Sequence, residues 1–258
     1  MVTVALSEFE GVLMKSLIAV LCAVLVTGVF FPNSASAQVP NKFENLQVLP
    51  KDIIKGDLVK VMRSASLALG VRCSACHVEK EPGNFMSTDW PSDELEMKET
   101  ARGMMKMVAE INANLLPAAT GKHDFQVSCI TCHRGVAEPY LLTEVVLKTT
   151  TKDGAEAGET RYRELREEYY GSGSYDFGPM SLTTVAESLI AEHADMAGAR
   201  QFLNLNLEMH PEFGDTYLML AQLDMAGGDD EAARANIERA LEIDPESRQA
   251  KRMLSQLE

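Results

Sequence analysis

Apolar residues recur at helical spacing through most of the chain. In KDIIKGDLVKVMRSASLALGV, Leu58, Met62, Ala65 and Leu69 follow one another at steps of four, three and four, which places them on one helix face. Gly70 stands where a helix C-cap belongs. ELEMKETARGMMKMVAEINANLL predicts a second amphipathic helix, with Met104, Met107, Val108 and Ile111 on one face and Met105 turned elsewhere. From Leu142 to Gly178 the pattern weakens. TTTKDGAEAGE reads as a polar turn or linker, and Tyr162, Leu165 and Tyr169 predict one short helix that ends at a Gly-Ser run.

The last part of the chain repeats itself. NLEMHPEF from Asn206 and ALEIDPES from Ala240 are offset by 34 residues, the tetratricopeptide period. In this register Ala199 matches Ala233, Leu203 matches Ile237 and Pro211 matches Pro245, while Tyr217, Leu220 and Ala221 take the first-helix positions of the second unit. The first unit opens with a helix from Ser181 to His193, where Glu187 occupies a position usually held by a small residue. Ala250, Met253, Leu254 and Leu257 form a closing stripe. Two units and a cap are few, because such repeats bury their faces only against neighbours. This part should therefore lean on the preceding helix, on the N-terminal half, or on another copy of itself.

These patterns predict an all-α protein, and 258 residues with 46% hydrophobic and 24% charged side chains suffice for one large domain or two small ones. The formal charge of −14 argues against nucleic acid as a partner, since phosphate recognition needs clustered Lys and Arg. The N-terminus narrows the compartment. From Met14, Lys15 is followed by an apolar run from Leu17 to Phe31 and by Ala35-Ser36-Ala37, the plan of a secretory signal peptide cleaved after Ala37. Glu8 and Glu10 stand where such a signal carries bases, so Met14 is the candidate true start. An uncleaved membrane anchor is the alternative, and the run is short for one. Without residues 1–37 the chain keeps 23 bases and 36 acids, a net of −13.

Export also leaves four cysteines, all in two short boxes. Cys73 and Cys76 lie in GVRCSACHVEK, followed by His77, and Cys129 and Cys132 lie in VSCITCHRG, followed by His133. Two cysteines separated by two residues, with histidine next, is the attachment site of a c-type haem: both thiols reach the vinyl groups along one porphyrin edge, and the imidazole reaches the iron. Disulfides would close small strained rings. A zinc ribbon uses paired cysteines at the same spacing but leaves both histidines unexplained. Two covalent haems account for every mature cysteine and leave none for an iron–sulfur cluster.

A methionine as sixth ligand would raise the potential and close the iron. Periodicity places Met62 on a face able to pack on a porphyrin, but taken alone it favours a plain core position, and Met86, Met97 and Met104 are further candidates for an iron. His123, six residues before Cys129, is a second type of distal candidate or a loop residue. Arg72, Arg102 and Arg134 could fork onto haem propionates, with Arg102 best placed on its helix, and Trp90 should cap a hydrophobic edge of its loop.

The order VMRSASLALGVRCSACH, ARGMMKMVAEIN, VSCITCHRG resembles the cytochrome c subunit family of photosynthetic reaction centres and its non-photosynthetic relatives, over roughly Leu49 to Pro139. In that family the helix before each box supplies an axial methionine. The resemblance implies Met62 with His77 on the first iron, fifteen residues apart, and Met107 with His133 on the second, twenty-six apart. The reaction-centre subunit has four boxes and this chain has two, so the resemblance implies electron transfer through one haem pair and leaves a photosynthetic role open.

The expected organisation is a signal peptide over 1–37, a helical dihaem cytochrome c domain over 38–145, a linker with a short amphipathic helix over 146–180, and a tetratricopeptide-like helical-hairpin solenoid over 181–258. The expected activity is one-electron transfer between redox proteins in the periplasm, free or membrane-associated, without a catalytic base or nucleophile. Basic redox proteins, a membrane complex and further copies of the chain are the expected partners. The alternatives are a dihaem peroxidase or a haem sensor with one open iron, and a repeat-based interaction protein with structural haems. If the signal reading holds, mass spectrometry of the exported protein will find Gln38 at its N-terminus; a mature chain beginning earlier would establish the anchor.

Overall fold

The computed structural model describes residues 39–122 and 124–257. The signal segment and His123 lie outside these residues. The described chain is all-α apart from one two-residue ladder, in which Val78 pairs antiparallel with Asp89 and Glu79 with Thr88.

The N-terminal half begins with helix α1, Lys55–Leu69, which ends at Gly70 in the left-handed conformation with φ 66°. A Cβ at Gly70 would also fall on the carbonyl of Gly135, so both backbone shape and space exclude a side chain there. Strands β1 (Val78–Glu79) and β2 (Thr88–Asp89) make a small hairpin after the first box. Helix α2, Glu96–Glu110, runs on through a π turn at Ile111–Leu115 into the short α3, Leu116–Thr120. The second box is itself a short helix, α4, Cys129–His133, and α1 packs against it. Among the described residues up to Val136, the buried hydrophobic side chains are Leu58, Ala68 and Val136.

The C-terminal half has a continuous core. Helices α5 (Leu142–Asp153) and α6 (Ala155–Tyr169) turn back on each other at Gly154. The segment read from sequence as a polar linker is thus helical on both sides of one glycine, and the boundary expected at 145/146 falls inside α5. Its Thr149 and Thr150 hydroxyls bond to the carbonyls of Val145 and Val146 one turn back, so polar residues sit in this helix without disturbing its ladder. The expected helix through Tyr162 and Leu165 is present, with both residues buried.

Helices α7 (Pro179–His193), α8 (Met196–Met209), α9 (Gly214–Gly227), α10 (Asp230–Ile243) and α11 (Arg248–Leu254) continue the stack. Val146, Tyr162, Leu165, Leu182, Leu189, Phe202 and Leu203 belong to one cluster, so α5 and α6 supply the third hairpin that two repeats need. A second cluster of Leu218, Ala221, Ile237, Ala250 and Met253 closes the other end beneath α11. Buried polar groups register the layers. Asn206 donates to the Thr216 hydroxyl at 2.7 Å and to the Pro179 carbonyl at 3.1 Å, and buried Asp224 accepts from Asn236 at 2.8 Å and pairs with Arg200 at 2.7 Å. Among the described residues no helix is long and apolar enough to cross a membrane.

At Gly158 α6 passes close to α5, so that a Cβ there would press on the Thr150 side chain and the Phe202 ring. Gly158→Ala should destabilise the solenoid by about 1–3 kcal/mol through overpacking, read as a lower denaturation midpoint.

Candidate functional site

Each box is one tight turn. In the first, Cys73–Ala75 form a single 3₁₀ turn, and the amide of His77 donates to the Cys73 carbonyl at 2.9 Å, which closes the box on itself. In the second, Ser128 begins α4 with its amide bonded to the Thr131 hydroxyl at 2.9 Å. Arg134 ends that helix in the left-handed conformation, and Gly135 follows with φ 96°. All four thiols are free: Cys73 and Cys132 are exposed, Cys76 and Cys129 half-buried. Burial and then the neighbouring Cys73 push the Cys76 thiol above its ordinary range.

The two histidines differ in their surroundings. His133 is held twice by Val136, whose amide donates to the His133 carbonyl at 2.9 Å and whose carbonyl lies 3.1 Å from the ring Nδ1. With Nδ1 donating, Nε2 is the free ligand atom. His77 has its Nδ1 buried without a hydrogen-bond partner. Burial and the charge of Lys98, offset in part by the backbone of Trp90 and added to by Arg102, hold its ring below the ordinary histidine range, so the neutral form is favoured.

Met62 lies half-buried on α1, and Met107 is 49% exposed on α2. Around Met107 an apolar stripe is open to solvent, with Met104 at 42% and Leu115 at 57% exposure. Met86 and Met97 are exposed as well. Large apolar side chains without cover, in the half of the chain that carries two boxes of paired thiols and imidazole, fit a flat apolar group seated on each box. They do not fit the zinc alternative, since among the described residues no three of the His, Cys, Asp and Glu side chains are grouped about one point.

Arg102 is nearly buried, and its guanidinium meets Asp93 at 2.8 Å, Glu99 at 2.9 Å and the Asn45 carbonyl at 3.3 Å. The propionate role expected of it therefore meets two carboxylates already in place. Arg102 and the side chain of Asn45 hold the Asp93 carboxyl well below the usual carboxylate range. This tie is present above the ordinary carboxylate titration and is lost only in stronger acid. Its effect is to fasten the Trp90–Asp93 loop to α2. Arg72 and Arg134 are exposed.

Sequence reasoning missed two holding groups. Asn112, in the π turn, donates to the Val127 carbonyl and accepts from the Val127 amide, both at 2.8 Å, so α2 is clamped to the strand of chain that enters the second box. Its signal in the sequence is one of two amide side chains, Asn112 and Asn114, on an otherwise apolar turn, which by itself names no partner. Ser174, after α6, donates to the Arg134 carbonyl at 2.7 Å and joins the solenoid to the end of α4. Beside this junction a cleft of about 830 Å³ opens, bordered by Val71, Val136, Tyr140 and Tyr169.

The photosynthetic reaction centre cytochrome C subunit family matches residues 25–188, and the tetratricopeptide repeat matches residues 190–257. No curated protein matches the chain.

Asn112→Ala should cost about 1–2 kcal/mol through the two lost bonds. Hydrogen exchange would show it most directly, as lost protection of the Val127 amide with the amides of α10 unchanged.

Proposed function

The chain belongs to the photosynthetic reaction centre cytochrome C subunit family, and on that premise we propose that it is an exported dihaem electron carrier whose irons are each held by one histidine and one methionine. The observation that carries this reading is the missing interior: of the described residues up to Val136, only three hydrophobic side chains are buried, while α2 and the boxes present uncovered apolar faces. A porphyrin on each box would supply the core that this half does not make from side chains.

Each haem, when bound, supplies a one-electron ferric/ferrous couple. Cys73 and Cys76 would hold the first covalently and Cys129 and Cys132 the second, so neither can be lost by dissociation. His77 and His133 would present neutral imidazole to the irons. Met62 and Met107 would occupy the sixth positions from the helix preceding each box, as the family pattern implies, and would keep small ligands out. Nothing in this arrangement needs a proton to move, which suits a carrier.

The charge distribution supports a docking role for the solenoid. Residues 142–258 hold 23 acids against 11 bases, whereas residues 38–141 are almost balanced at 13 against 12. A redox partner with a basic surface would be steered to the repeats, and its association should weaken steeply as salt rises.

Optical spectra of the mature protein, with alkaline pyridine to count covalent haem, test the proposal. Two c-type haems per chain and the weak near-infrared band of methionine on ferric iron are expected. Met62→Ala and Met107→Ala should each remove part of that band and open one iron to cyanide. A wild-type protein that already binds cyanide at high-spin iron would instead be the peroxidase or sensor, and a protein matured with a working attachment system yet lacking haem would overturn the reading.

A further inference from the structure

The Nδ1 of His133 has the Val136 carbonyl at 3.1 Å, and the buried Nδ1 of His77 has nothing. What stands beside His77 is Trp90: the ring centroids lie 5.0 Å apart with the planes at 61°, an edge-on contact. Phe85 backs Trp90 in the same manner, at 5.1 Å and 72°. The Trp90 backbone is tied down, since the Lys98 ammonium donates to its carbonyl at 2.9 Å and to that of Ser92 at 2.6 Å. Lys98 and Arg102 both pair with Asp93, one residue further along.

We propose that Trp90 is the positioning residue of the first haem, fixing the His77 imidazole by its ring edge where His133 is fixed by a hydrogen bond, and that this makes the first iron the higher-potential of the two. The inference rests on the reading of His77 and His133 as iron ligands. An Nδ1–H that donates to a carbonyl gives the ring partial imidazolate character, and the stronger donor stabilises ferric iron. His133 has that bond. The Trp90 carbonyl borders the His77 ring but accepts from the Lys98 ammonium, and Nδ1 makes no hydrogen bond, so His77 stays the weaker donor and the first electron added at equilibrium resides on its iron. The charges of Lys98 and Arg102, which fall on the His77 ring, act in the same direction as the missing hydrogen bond.

Spectroelectrochemical titration of the mature protein, followed by electron paramagnetic resonance of the ferric state, tests this. Wild type should give two one-electron waves and two low-spin signals. Trp90→Leu admits water to Nδ1, and should lower the upper wave and shift one signal while the other wave and signal stay; Trp90→Phe, which keeps an aromatic edge, should leave the upper wave near its wild-type position. Unmoved waves, or movement of the lower one, would overturn the proposal. Should Trp90→Leu fail to take up the first haem, the Cys129→Ala/Cys132→Ala variant, which keeps only the first, must titrate above the Cys73→Ala/Cys76→Ala variant, which keeps only the second; the reverse order refutes the assignment. A pyridine assay that finds no haem on the first box would instead dispose of the underlying reading.

Discussion

The N-terminal half of this protein is governed by a shortage of side-chain core. Burying apolar surface is the main favourable contribution to folding, and ordering each residue costs about 1–2 kcal/mol of backbone entropy. Between Val39 and Val136 the side chains alone bury little to offset that cost among the described residues: Leu58, Ala68 and Val136 lie inside, while Met104, Met107, Leu115 and Ile130 face outwards. The turns are nevertheless well defined, through the Gly70 cap, the Ser128–Thr131 bond and the Asn112 clamp. This half is a set of fitted edges around space for apolar partners, and covalent attachment is the chemistry that makes such partners permanent.

The solenoid solves its own problem by ordinary means. Three hairpins and a closing helix bury Tyr162, Phe202, Leu203 and Ile237 completely. The two halves touch through few groups, chief among them the Ser174 hydroxyl on the Arg134 carbonyl. The solenoid thus holds its own buried core, and most of the chain's excess acid lies on it rather than on the half that carries the boxes.

The two boxes were plain in the sequence because their chemistry is local: two thiols and an imidazole within five residues leave little to long-range folding. The repeats were legible for a similar reason, since the offset of 34 residues survives in Ala199 and Ala233, which both fall in helix-packing positions and are both fully buried. Of the hairpin Leu142–Asp153 and Ala155–Tyr169 only the second helix was legible, through Tyr162, Leu165 and Tyr169; the first was not, because its threonines obscure the periodicity and its apolar face packs against later helices. The Asn112 clamp spans fifteen residues and the Trp90–His77 contact thirteen, and no pattern in the intervening chain announces either. The expectation for Arg102 arose from its position on a helix, whereas its actual neighbours, Asp93 and Asn45, come from loops whose course only the fold discloses.

One contact ties the two boxes to each other. Gly70, at the end of α1, lies against the carbonyl of Gly135, and the Gly135 amide donates to the Ala68 carbonyl at 2.8 Å. The helix that precedes the first box is thereby the buttress of the second. Deleting either box with its helix would strip the other of a packing surface, so the two boxes hold together as one folding unit.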